Sequence, residues 1–186
     1  MIKTLFLVFL GLINVINYKT CQSKEIKEFN KNNIIWSESR KLKWEDFKAI
    51  KPFISNFSAA SSVQLKVDYI LGDSLKKFDV VCFFKKEKSW TMDTSNYGLK
   101  HEQIHFDIGE IQARLLRSAI IENKNKLNRW KVRLIDSLVH YYTNKLIASQ
   151  KLYDSLTLHS QNQAEQQIWN SRIANELDSL KNYARQ

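Results

Sequence analysis

Leu99-Lys-His-Glu-Gln-Ile-His-Phe-Asp-Ile-Gly-Glu-Ile-Gln-Ala-Arg-Leu-Leu-Arg-Ser-Ala-Ile-Ile-Glu122 is the stretch on which the fold turns. Counted from His101 at 3.6 residues per turn, Ile104, Ile108, Ile111, Leu115 and Ala119 all fall within about 80° of it on one side. Glu110, Arg114 and Arg117 fall on the far, polar side, where Glu110 and Arg114 make an i, i+4 pair. The spacing predicts a helix over about 99–122, with an apolar stripe facing a core.

Upstream the period changes from 3.6 to 2. Ser62 to Ile70 alternates Val63, Leu65, Val67 and Tyr69 with polar partners, as a half-buried strand does. Leu71-Gly72-Asp73-Ser74 supplies turn chemistry, and Phe78-Asp-Val-Val-Cys-Phe-Phe84 is a second, more apolar strand, so the two should pair antiparallel. Ser89 to Met92 suggests a third, short strand. Downstream, two more helices are expected, one over roughly 130–152 (Ile135, Leu138, Val139, Tyr142, Leu146) and one over roughly 160–184 (Trp169, Ile173, Leu177, Leu180, Ala184). A small antiparallel sheet followed by three helices is an α+β arrangement.

The N-terminus reads differently. Lys3 precedes an apolar run from Leu5 to Ile13, too short to span a bilayer but of the length of a signal-peptide core. Residues 1–23 are therefore expected to be a signal peptide cleaved after Ser23, and the chain to be exported, periplasmic or secreted. Acylation of Cys21 as a lipoprotein anchor is the alternative, which the bulky Tyr18, Lys19 and Thr20 fit poorly. Residues 24–35 read as a polar leader and 36–186 as one domain. With Cys21 removed, Cys82 is alone, so no disulfide framework is possible. The net charge of +10 falls to +8 without Lys3 and Lys19. The lysines are scattered without an arginine cluster, which disfavours nucleic acid as a partner. No stable membrane insertion is expected once the leader is gone.

Within the decisive helix, His101-Glu102-Gln103-Ile104-His105 is an H-E-x-x-H motif. Residues i and i+4 lie about 40° apart on a helix, so both imidazoles reach one metal ion. Glu102 lies about 100° round from His101, beside the metal without ligating it, where the base that activates water belongs. Because the pair continues an apolar stripe, it sits at the interior end of a core helix. Gly109, one turn past His105, either admits a closely packed segment or eases helix packing.

A catalytic zinc requires a third protein ligand and an open position. Glu110 points away, His140 shares a polar helix face with Asp136 and Asn144, and Asp107 reads as a surface carboxylate or one behind the ligands. His159, at the junction of the second and third helices, remains, though a capping or loop role would suit it equally.

The run from His101 to Glu110, with Arg114 and Leu115, resembles the core of domain of unknown function family 922, exported bacterial proteins predicted to be zinc-dependent proteases. Tyr153-Asp154-x-x-Thr157-x-His159, followed by Asn162, Gln166 and Trp169, is similar to its second motif. Trp44 to Phe47, Ala59-Ala60 and Ser89-Trp90 match weaker landmarks. The resemblance implies a zinc ion on His101, His105 and His159, Glu102 as base, and Tyr153 and Asp154 at or behind the metal. Ser160 departs from it, since glycine is expected after the histidine.

The expectation is thus an exported zinc metallopeptidase of zincin-like fold acting on a peptide or protein. Tyr153 is the available donor to the oxyanion, and residues 78–92 are the candidate edge for binding substrate by strand addition. The competing reading is a non-catalytic binding module stapled by zinc, for which no fourth ligand stands out.

Overall fold

The computed structural model describes residues 27–55, 57–127 and 132–185. The expected signal peptide lies outside them. The chain divides into a unit ending at Ile34 and a larger unit, Ile35–Gln186. In the first, residues 27–32 are helical. Read from sequence as an irregular leader, this turn is held by side chains four residues apart, Asn32 Nδ2 on Glu28 Oε1 (2.9 Å) and Asn33 Nδ2 on the Phe29 carbonyl (2.8 Å). Strand β1 (Asn33–Ile35) follows.

The larger unit is built on an antiparallel hairpin, β3 (Val63–Leu71) and β4 (Leu75–Lys85), in register from Val63 opposite Phe84 to Leu71 opposite Leu75. Strand β3 alternates half-buried and exposed residues as its sequence predicts, whereas Val80 to Phe84 of β4 are buried without alternation. A separate two-stranded ribbon pairs β2 (Ala59–Ala60) with β5 (Trp90–Thr91). Helix α1 (Asn96–Glu122) packs across the hairpin. It begins three residues earlier than expected because the Ser95 hydroxyl caps it, accepting from Gly98 N at 2.9 Å, and Asp93 holds Ser95 in turn.

Gly109 is where α1 lies closest to the hairpin. A Cβ there would come within 2.5 Å of Val63 Cγ1 and 2.6 Å of Cys82 Sγ, so the glycine serves packing against the strands. Helices α2 (Val132–Thr157) and α3 (Gln163–Ser179) flank α1. Ile104, Ile108 and Ile111 meet Leu146, Tyr153, Trp169 and Ile173 in the core, with Val63 and Leu65 from β3.

Two readings of α1 are corrected. Its polar side is buried: Glu110, Arg114 and Arg117 are 2%, 5% and 6% exposed. Glu110 Oε1 accepts from Arg114 Nε (3.1 Å) and Arg117 Nη1 (2.9 Å). Arg117 also donates to the carbonyls of Val80 and Tyr183, and Arg114 to that of Leu177, so β4 and the segment after α3 close over this side. Asp107, read partly as a surface residue, is buried under Trp36, whose Nε1 donates to it at 2.6 Å, with Gln103 Nε2 at 2.9 Å. Burial pushes its carboxyl above the usual range, against the lowering by those two bonds.

Candidate metal centre

The first turns of α1 place His101, Glu102 and His105 along one wall of a cleft of about 280 Å³; all three are buried. Helix α2 runs past the expected end at 152 to Thr157 and thereby carries Asp154 to the same point. Asp154 Oδ1 lies 3.2 Å from His101 Nε2 and 2.9 Å from His105 Nε2. One ligand atom from each of His101, His105 and Asp154 lies within 4.8 Å of the others, a group able to hold a metal ion. The two short separations are near the roughly 3.4 Å between ligands of a tetrahedral zinc at about 2.1 Å. Two imidazoles and one carboxylate also form a usual donor set for that ion. Burial raises the Asp154 carboxyl, but the hydrogen bonds of both histidines outweigh it and hold the group well below its ordinary value. Burial depresses His105, yet the Asp154 bond and the nearby Glu102 carry it above its ordinary value.

His159 is drawn to this group without joining it. Its Nδ1 is 3.7 Å from Asp154 Oδ1, its side chain is half exposed, and its ring centroid lies 4.3 Å from that of Phe57. Leu158, His159 and Ser160 have φ of 50°, 51° and 71°, a left-handed run that costs about 1–2 kcal/mol per non-glycine residue. The glycine expected at 160 would fit that backbone, and serine keeps it at a cost. His140 is exposed on α2, its Nε2 accepting from Asn144, as its polar face predicted.

Tyr153 does not reach the cleft as an oxyanion donor. It is fully buried behind the histidines, stacked on His101 at 4.5 Å, and its hydroxyl donates to Gln166 Oε1 at 2.6 Å. Burial pushes that phenol far up, the Gln166 bond opposing it. Gln166, 1% exposed, is the residue whose role sequence reasoning missed. Its Nε2 donates to Asn170 Oδ1 (2.9 Å), which turns Oε1 toward His101 Nδ1 (2.9 Å). A carbonyl oxygen only accepts, so Nδ1 carries a hydrogen, and Nε2, the nitrogen that faces Asp154, is the one placed to meet a metal ion. The signal was its place one turn before Trp169 and two before Ile173 on the inner face of α3.

No family model matches the chain, and no curated protein or solved structure matches it significantly.

The cleft wall facing the helix is Ser58 to Ser61 rather than residues 78–92. Strand β4 is paired with β3 on one edge and takes the Trp36 N–H on Cys82 O at its other, so it has no edge to offer there. In β2, Ser58 O accepts from Met92 N and Ala60 stands opposite Trp90. Antiparallel alternation therefore points the N–H and C=O of Ala59 away from β5. Glu102 Oε2 is a buried carboxylate oxygen in the cleft with no hydrogen-bond partner among the described residues.

Proposed function

We propose that this chain is an exported zinc-dependent metallopeptidase. The observation that supports it best is the unpaired Glu102 oxygen beside His101, His105 and Asp154 in an open cleft. Leaving a buried acceptor unsatisfied costs about 1–3 kcal/mol, and more when it is charged, so this oxygen favours a partner supplied from the cleft, a water or a substrate atom. Zinc, when bound, supplies Lewis acidity to a substrate carbonyl and lowers the pKa of water toward 7. His101, His105 and Asp154 hold the ion, with Gln166 and Tyr153 fixing the His101 ring. Glu102 takes a proton from the attacking water and returns it to the leaving amine. An extended peptide pairs with the outward edge of Ala59, which aligns its carbonyl along the cleft. His159, on the cleft wall beside Asp154, lies where it can donate to the developing oxyanion in place of Tyr153.

One observation favours the non-catalytic reading: His159 Nδ1 lies 3.7 Å from Asp154 Oδ1, and with His159 as a fourth ligand the site would be a closed structural one. Metal analysis with peptide hydrolysis separates the two. The purified protein should hold about one zinc per chain and cleave members of a peptide library, both abolished by a chelator. Asp154→Ala should empty the site, His159→Ala should keep zinc but slow cleavage, and His140→Ala should change neither. Loss of zinc from His159→Ala with no hydrolysis by the zinc-loaded wild type would give the lead to the structural site. Loss of zinc from His159→Ala but not from Asp154→Ala would make His159 the third ligand, as the resemblance implies.

A further inference from the structure

The excess of lysine has no part in the cleft chemistry, and some of it surrounds an apolar projection. Residues 50–55 and 57 leave the body between two tie points. Lys48 N and Ala49 N donate to the carbonyls of Lys86 and Ser89 (3.0 and 2.9 Å) at one end, and Met92 N donates to Ser58 O (2.7 Å) at the other. Between them a turn closes from Ser55 N to the carbonyl of Pro52, the only proline of the chain. Ile50, Phe53 and Ile54 are 92%, 102% and 88% exposed, and Met92 at the tie point is 69% exposed. Large apolar side chains standing free on one loop tip are unusual on a soluble surface and mark a binding site. Across residues 48–57 and 85–88 there are five lysines and one acid, Glu87. Lys48 and Lys88 are exposed, and the Lys51 ammonium lies 5.9 Å from the Trp90 ring centre.

We propose that this loop seats the protein on an anionic lipid bilayer, with Ile50, Phe53 and Ile54 in the interfacial layer and the lysines at headgroup level. An apolar tip above a cationic collar matches the layering of a membrane surface, greasy inside and anionic outside. A lid over the cleft would turn its apolar side chains inward. Only Phe57 does so, against His159, whereas Phe53 and Ile54 line no part of the cleft. Among the described residues no helix is long and apolar enough to cross a membrane. Since Phe57 and Ser58 to Ser61 border the cleft directly after the loop, its mouth is set close to the membrane plane.

Co-sedimentation with vesicles tests this independently of any hydrolytic activity. Wild type and variants carry the same N-terminal residues, so the leader contributes equally to each. Binding to phosphatidylglycerol-containing vesicles should exceed binding to phosphatidylcholine alone and weaken with salt. The triple substitution Ile50→Ser, Phe53→Ser, Ile54→Ser should lower it about 100-fold, and Lys48→Gln with Lys88→Gln about 30-fold. Phe53→Trp should show fluorescence quenched by brominated lipid. All of these positions are exposed, and unchanged melting temperatures will show that the fold is intact. Equal vesicle binding by wild type and the triple variant, or an unquenched Trp at 53, would overturn the proposal. So would an effect of the triple variant confined to self-association or to peptide cleavage, which would make the loop a dimer contact or a lid.

Discussion

Two glutamates about two turns apart on α1 are equally buried and live in opposite surroundings. Glu110 accepts from two guanidinium groups, which also cap carbonyls of β4, of α3 and of the turn after it, so the whole cluster is satisfied from within the protein. Glu102 faces the cleft with one carboxylate oxygen unmatched. The same helix thus ends in a finished ionic core on one side and an unfinished one on the other. Burial of charge alone says little about use; the difference lies in whether the partners are already present.

Paired Glu→Gln substitutions break or sharpen this contrast. Glu102→Gln should cut peptide hydrolysis by ~10²–10⁴ through loss of the general base, with zinc content and melting temperature held or raised. Glu110→Gln should do the reverse. It leaves Arg114 and Arg117 buried without their counter-charge and should cost about 3–5 kcal/mol of stability in denaturant titration. Equal losses of stability from the two variants would erase the distinction.

Gln166→Leu is the next smaller effect. It removes the acceptor that orients His101 and should weaken zinc affinity ~10–100-fold, read by competition with a chromophoric chelator. An unchanged affinity would leave Gln166 as a packing residue only.

The smallest effect concerns a pair at the solvent edge of the ionic core. The Arg185 guanidinium, bonded to both oxygens of Asp79, holds that carboxyl below its ordinary value against the opposing effect of burial. A lowered carboxylate stabilises the fold above its unfolded pKa of about 4, and that contribution fades as pH falls through the folded value. Wild type should therefore exceed Asp79→Asn by less than about 1 kcal/mol at neutral pH, the pair being partly exposed, and the gap should close in acid. Thermal melts across that range are the measurement, and a gap widening in acid would contradict the sign.

What was legible follows from how local each signal is. Alternation in β3, the turn at Leu71 to Ser74 and the apolar stripe of α1 are carried by near neighbours, and all three are found in the structure. The His101, Glu102 and His105 wall needs only helix geometry. The burial of Glu110, Arg114 and Arg117 was hidden because a helical wheel gives angles, not the number of elements packed around them. Asp154 and Gln166 converge on His101 from two other helices, which no spacing within one segment reveals. Tyr153 was misplaced for the same reason: its neighbour Asp154 turns toward the cleft, and consecutive helical residues lie about 100° apart.

The contact at Gly109 reaches beyond this one chain. With no room for even a methyl group between α1 and the pair Val63 and Cys82, any side chain at 109 would lever the helix off the hairpin and carry His105, one turn away, with it. Among descendants of this sequence, position 109 is free to enlarge only where 63 or 82 has first become smaller. The three positions should therefore vary together, and the order in which they mutate should be constrained by the chemistry four residues upstream.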